Sequence, residues 1–189
     1  TNSGIEEFET SDNKHHAELG NPAEFLQKYL GLNNYAASVS TACTSGIKAF
    51  AAARRLLEND VCKAVIAGGI DTLASMPIYG FDALEVLSHE KTNPFSKNRS
   101  GICIGEAGAL FLLEKNKDGI KIMGIGETSD AYHSATPDPE GAQAAEAIRI
   151  ALEDAGLVPK DIDYINLHGT GTVSNDLMEA NAVYKVFGS

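Results

Sequence analysis

The segment that most restricts the fold is an alanine-rich helix set between apolar runs. From position 44 to about 57, Ile47, Phe50, Ala51, Arg54 and Leu57 recur at helical spacing, while Ala49, Ala51, Ala52 and Ala53 keep the cylinder slim. A helix this thin suits the middle of a layered fold, with sheets close on both sides. Residues 61–67 follow as a near-continuous apolar run closed by Gly68 and Gly69, the pattern of a parallel strand buried on both faces, in which Cys62 simply packs. Further strands are expected at 35–40, 109–113, 120–125 and 162–167, and a short helix at 81–87. The chain therefore reads as α/β.

Three more helices carry clear punctuation. Asn21 is placed to cap the first, with Pro22 at its first position, Glu24 completing a capping box and Gly31 stopping it; Phe25, Leu26, Tyr29 and Leu30 form one stripe that reads as core. Ala144, Ile148, Ala151, Leu152 and Ala155 share a face over 142–155, ended by Gly156. A last amphipathic helix begins at Asn175 and Asp176, with Leu177, Ala180, Val183 and Tyr184 inward, and Asp176 and Glu179 suit its N-terminal end electrostatically.

Charge excludes some functions. Fifteen basic against 26 acidic side chains give a net charge of −11, which disfavours nucleic acid or an anionic membrane as the main partner. Three cysteines without a C-x-x-C pair, and with no metal-like spacing to histidine, suggest neither a disulfide framework nor a zinc site, and fit a reducing cytoplasm. His15 and His16 sit in a charged loop and read as solvated surface. No apolar run is long enough to span a membrane, and neither a leader nor an initial methionine is present, so the chain is read as a piece of something longer.

Two loops carry the chemistry. Cys43 lies in Ser40-Thr41-Ala42-Cys43-Thr44-Ser45-Gly46, where an extended run turns into the slim helix. Unpaired N–H groups and the helix dipole favour a thiolate there, and small neighbours let a substrate approach it. His168 lies in His168-Gly169-Thr170-Gly171-Thr172, at the end of the expected strand 162–167. A histidine so placed can donate a hydrogen bond to a developing oxyanion or move a proton; equally, it can be a structural residue at a strand end. The glycines at 101, 105 and 108 run into a strand instead of opening a helix, so they make a poor dinucleotide loop. Glu106 ahead of that strand needs a partner if buried, and Arg99 is the expected one.

Five blocks taken in order, S-T-A-C-T-S-G, A-G-G-I-D at 67–71, N-P-F-S-K-N-R-S-G with G-E-A-G-A-L-F-L-L-E at 93–114, S-D-A-Y-H at 129–133, and L-H-G-T-G-T with N-D and E at 167–179, closely resemble the β-ketoacyl-acyl-carrier-protein synthases. The resemblance implies a thiolase-like αβαβα layered fold, here incomplete: residues 1–116 would be the later part of the first half and 117–189 the start of the second. It implies that Cys43 accepts an acyl chain from the phosphopantetheine of an acyl carrier protein. Malonyl-carrier protein then decarboxylates, and its carbanion attacks the thioester. His168 would stabilise the enolate, Thr170 and Thr172 would bind the pantetheine arm, and Phe81 and Ile5 would line the acyl pocket. Neither a metal nor a resident cofactor is implied. A homodimer, or a heterodimer with a related subunit, would pair through residues 37–40.

Several positions depart from the family pattern. Glu-Ala-Gly follows Gly105 where Glu-Gly-Ala or Asp-Gly-Ala is commoner, Ser96 and Ser100 stand where acidic residues are frequent, and Glu85 replaces a carrier-docking arginine of some members. Docking would then use other residues, with Lys48, Arg54, Arg55 and Lys63 as candidates. A second histidine, a lysine and a glycine-rich loop of the family lie beyond the equivalent of position 189. L-E-V-L-S at 84–88, D-A-Y-H and I-N-L-H-G-T are similar to synthases of aryl-polyene-type pathways. Rival readings are a thiolase-type acyl-CoA condensing enzyme, a chain-length-factor-like partner subunit, or a non-catalytic fragment; the H-G-T-G-T block disfavours the first and Cys43 the second.

Overall fold

A computed structural model describes residue 18 and residues 20–116 and 118–188. Ile5, expected in the acyl pocket, and His15 and His16 lie outside the described residues. The chain divides into two compact units, residues 1–83 with 104–119, and residues 84–103 with 120–189.

In the first unit, α1 (Asn21–Tyr29) is followed by α2 (Ser45–Glu58), β1 (Ala64–Asp71), α3 (Ser75–Ala83) and β2 (Ala107–Glu114). The slim helix forms as its sequence requires, burying Ala51, Ala53 and Leu57 against the strands, while Ile47 at its first turn is exposed. Phe50 on α2 meets Phe111 on β2 edge to face, with ring centroids 5.5 Å apart, a contact that adds about 0.5–1.5 kcal/mol to the area buried. The apolar run at 61–67 becomes a strand three residues later than expected, and its pairing is antiparallel: Ala64 faces Glu114 and Asp71 faces Ala107. The expected parallel strand buried on both faces is not what forms: of β1 only Ala67 is buried, and its partner runs antiparallel, because an apolar run names neither the direction nor the cover of a strand. Gly68 is required by this register, because a Cβ there would lie 2.0 Å from the Ala109 carbonyl oxygen.

Other local expectations also change. Asn21 is the first helical residue of α1, not its cap; Gly20 takes the cap position and no side chain caps the end. Gly31 follows at φ 64°, the left-handed stop its sequence suggests. The Phe25–Tyr29 stripe is not core: Phe25 and Tyr29 stack on each other at 5.8 Å and remain exposed. Residues 35–40 belong to no strand. The helix expected at 81–87 is α3, displaced toward the N-terminus, and it contains Pro77 and Gly80. Glu106 is exposed, and its Oε2 accepts the Leu73 N–H at 3.1 Å, so it is neither a buried charge nor the partner of Arg99.

The second unit contains α4 (Ala142–Ala155), a 3₁₀ turn (Pro159–Asp161) and α5 (Val173–Phe187), with α4 packed on α5. Gly156 ends α4 in the left-handed conformation, as its sequence indicates. Residues 120–125 and 162–167, expected as strands, run without ladder partners among the described residues. The first of these runs so close to α4 that a Cβ on Gly124 would lie 2.1 Å from the Ala151 carbonyl oxygen, and one on Gly126, just past it, 1.9 Å from that of Ala147. α5 starts at Val173 with Thr172 as its cap residue, and it buries Asp176 and Ala182, whereas Leu177 and Tyr184 of the expected inner face are exposed. No helix among the described residues is long and apolar enough to cross a membrane.

Candidate active site

The first candidate loop lies at the start of α2. Residue 42 is an alanine at φ 53°, in the left-handed region where a Cβ costs roughly 1–2 kcal/mol. This turn puts the exposed Cys43 two residues ahead of the first helical residue, Ser45, with Thr44 as the cap position. Hydroxyls close the turn. Thr41 N–H donates to Ser45 Oγ at 2.9 Å, Ser45 Oγ donates to the Ala42 carbonyl at 2.6 Å, and Thr44 Oγ1 donates to the Thr41 carbonyl at 2.7 Å. A cysteine held on a sharp turn at a helix N-terminal end can attack a carbonyl carbon while backbone N–H groups of that turn receive the oxyanion.

The second candidate loop, His168 to Thr172, is held by two carboxylates of α5. Glu179 Oε1 accepts the His168 N–H at 2.6 Å, and its Oε2 accepts the Gly169 N–H at 2.8 Å and Asn175 Nδ2 at 2.9 Å. Asp176, with 3% of its surface exposed, accepts the Gly171 N–H at 3.2 Å through Oδ1 and the Phe95 N–H at 2.6 Å through Oδ2. Arg99 Nε lies 3.6 Å from the same Oδ2, so the arginine expected beside Glu106 pairs here instead. These bonds go to a charged acceptor and are worth about 1.5–3 kcal/mol each. Sequence reasoning treated Asp176 and Glu179 as helix-end charges alone. The available signal was the spacing: two acidic residues one turn apart directly follow a loop whose glycines leave many backbone donors.

Glycine is needed at two points of this loop. Gly169 and Gly171 adopt φ 57° and 71°, and a Cβ on Gly171 would lie 2.8 Å from the Gly101 carbonyl oxygen. The Gly171 carbonyl accepts the Gly101 N–H at 3.0 Å, tying the loop to residues 84–103 of its own unit. Thr170 and Thr172 are half-buried and share a hydrogen bond between their hydroxyls at 2.8 Å, while the His168 side chain is exposed. Phe81 lies in α3 and is half-buried.

Away from these loops, Asp130 in the S-D-A-Y-H block accepts the N–H groups of Tyr132 and Asp138, each at 3.1 Å, and these bonds hold its carboxyl below the usual carboxylate range. An open groove of about 780 Å³ beside the 3₁₀ turn, lined by Val158, Lys160, Tyr164 and Phe187, contains none of the expected site residues. Among the described residues, no group of three or more histidine, cysteine, aspartate or glutamate side chains could hold a metal ion.

The α/β chain thus carries a cysteine at a helix start in its first unit and a histidine in a carboxylate-latched glycine loop in its second. Residues 23–119 match the β-ketoacyl synthase N-terminal domain and residues 120–189 the C-terminal domain. The chain belongs to the β-ketoacyl synthase family and has a partial thiolase-like α/β fold. It is 37% identical over 188 residues to 3-oxoacyl-[acyl-carrier-protein] synthase 2 of Mycobacterium leprae, covering 85% of this chain and 45% of that protein. Among solved structures, it is similar to the ketosynthase ApeO in complex with its chain length factor ApeC from Xenorhabdus doucetiae, with 45% identity and a TM-score of 0.88 over 96% of this chain and 47% of that one. It also resembles the complex of a type II polyketide synthase acyl-carrier protein with its hexaketide-bound ketosynthase, with 28% identity and a TM-score of 0.87 over 95% of this chain and 48% of that one. The chain spans about half the length of the relatives it matches.

Proposed function

We propose that the protein of this chain is a 3-oxoacyl-acyl-carrier-protein synthase, with residues 1–116 and 117–189 contributing to its two thiolase-like halves. The observation that carries this reading is the turn at Ala42, which presents Cys43 at the N-terminal end of α2. The thiolate of Cys43, favoured by the positive helix end, attacks the thioester carbonyl of an acyl chain carried on phosphopantetheine. The new Cys43 S–C bond replaces the pantetheine C–S bond, and the carrier thiol leaves with the proton. Malonyl-carrier protein then loses carbon dioxide, and the electron pair of the broken C–C bond becomes an enolate. His168 donates a hydrogen bond to the enolate oxygen. The enolate carbon attacks the acyl-Cys43 carbonyl, and the Cys43 thiolate departs, leaving a 3-oxoacyl chain on the carrier.

Thr170 and Thr172 bind the pantetheine arm, and Phe81 and Ile5 line the acyl pocket. The substrates bring their own phosphopantetheine, so no resident cofactor is needed. The partner is an acidic acyl carrier protein, drawn to basic side chains; of the candidates Lys48, Arg54, Arg55 and Lys63, Arg54 is already matched by Glu58 at 2.6 Å on α2. The protein works as a homodimer, or as a heterodimer with a related subunit, paired through residues 37–40, in the cytoplasm. The 45% identity to a ketosynthase solved with its chain length factor, against 37% to the 3-oxoacyl-[acyl-carrier-protein] synthase 2 of Mycobacterium leprae, and the likeness to a type II polyketide ketosynthase support a polyketide or aryl-polyene pathway. The test is a condensation assay on the full-length protein with acyl- and malonyl-carrier proteins. The proposal predicts a 3-oxoacyl-carrier product that needs Cys43; condensation of acetyl-CoA alone, without malonyl-carrier protein, would indicate a thiolase instead.

A further inference from the structure

The hydroxyl of Ser45 occupies a place in the nucleophile turn that the proposed chemistry does not yet use. It lies two residues after Cys43, at the first position of α2, yet it does not cap the helix; no side-chain cap bond is made there. Its Oγ reaches backward instead. It accepts the Thr41 N–H at 2.9 Å and donates to the Ala42 carbonyl at 2.6 Å, and the Ser45 backbone N–H reaches the same carbonyl at 3.0 Å. Ser45 therefore grips the chain on both sides of the one left-handed alanine that makes the turn.

The Ala42 carbonyl belongs to the same peptide plane as the Cys43 N–H. A trans peptide is planar, with its C=O and N–H pointing in opposite directions. Two hydrogen bonds that draw the carbonyl toward Ser45 thus fix the direction of the Cys43 N–H and of the N–Cα bond from which its side chain branches. The conformation they hold is an unfavourable one for alanine, so it depends on such bonds to persist. Without them, Ala42 is free to relax to negative φ, which rotates this plane and carries the sulfur with it.

We propose that Ser45 is a positioning residue for Cys43, setting the peptide plane from which the nucleophile is presented. This rests on the reading of Cys43 as the acyl-accepting thiol. Loss of the two side-chain bonds is expected to slow acylation about tenfold, the scale of one or two net hydrogen bonds expressed in the transition state. A residue that acts only through the Thr41–Cys43 backbone leaves the Michaelis constant for the acyl donor unchanged.

The test measures acylation of Cys43 by acyl-carrier protein in the full-length protein, for the wild type, Ser45→Ala and Ser45→Thr. The expected result is a roughly tenfold lower kcat in Ser45→Ala at unchanged KM, restored to within about twofold by the hydroxyl of Ser45→Thr. Equal kcat in wild type and Ser45→Ala would overturn the inference, as would a Ser45→Thr variant as slow as Ser45→Ala. Hydrogen exchange on the wild type is the second measurement, and it holds even if Ser45→Ala does not fold. The Thr41 amide should be protected, and exchange at the rate of an open loop amide would overturn the inference. A wild type that is not acylated at Cys43 would instead remove the proposed function itself, so the two failures are distinct.

Discussion

Replacing Asp176 by alanine tests how the histidine loop is held. The carboxylate is 3% exposed and receives the Phe95 N–H at 2.6 Å and the Gly171 N–H at 3.2 Å. Bonds to a charged acceptor contribute about 1.5–3 kcal/mol each, so their removal alone amounts to about 3–6 kcal/mol. Arg99 Nε, itself buried and without a hydrogen-bond partner, lies 3.6 Å from the same Oδ2, so removing the carboxylate also leaves that buried charge without its counter-ion. Water entering the vacated space recovers part of the loss, and Asp176→Ala should cost about 3–5 kcal/mol, the usual range for breaking one side of a buried polar network. Asp176→Asn keeps the shape and one acceptor oxygen but turns an NH₂ group toward the other N–H, and should cost about 2 kcal/mol. Urea unfolding of the full-length protein measures both variants, with hydrogen exchange at Phe95 and Gly171 reporting locally. A cost below about 1 kcal/mol for Asp176→Ala, with both amides still protected, would refute the reasoning.

Glu179→Ala should free the His168 and Gly169 amides and lower condensation more than acylation, read by comparing acyl-enzyme formation with 3-oxoacyl product. Gly126→Ala forces a methyl carbon to 1.9 Å from the Ala147 carbonyl oxygen, so it should destabilise the second unit by about 3 kcal/mol or more in urea unfolding. The Asp130 clasp should depend on pH: the Tyr132 and Asp138 N–H groups hold its carboxyl below the usual carboxylate range, so the clasp's contribution is present above that range and is lost as the pH falls through the lowered value. The protection factors of the Tyr132 and Asp138 amides, each taken against its intrinsic exchange rate at the same pH, should fall in that acidic window and not between pH 5 and 8. His168→Ala should spare acylation of Cys43 while removing most condensation; equal loss of both steps would assign the histidine to the first.

The helices were the legible part of the fold. Alanine spacing in α2 and the glycine stop of α4 are local signals, and local hydrogen bonds satisfy a helix. Strands need partners, and an apolar run does not name one. Residues 120–125 and 162–167 have strand-like patterns without a ladder among the described residues, and the direction of β1 against β2 was written in no residue of either. The Phe25 stripe shows the same limit, since periodicity says which residues share a face but not whether anything covers it. In the two candidate loops, Cys43 and His168 stood out because glycines and small residues frame them. Asp176 and Arg99 did not, because their contact spans most of the second unit's sequence and no local spacing encodes it.

The central claim is that Cys43 accepts an acyl chain. Its most direct test is the intact mass of the full-length protein after exposure to acyl-carrier protein, followed by peptide mapping, since Cys62 and Cys103 are alternative acceptors. The account predicts one acyl adduct on the peptide carrying Cys43 and none on the Cys43→Ala variant. An unmodified Cys43, or an adduct that persists at the same rate in Cys43→Ala, would contradict it.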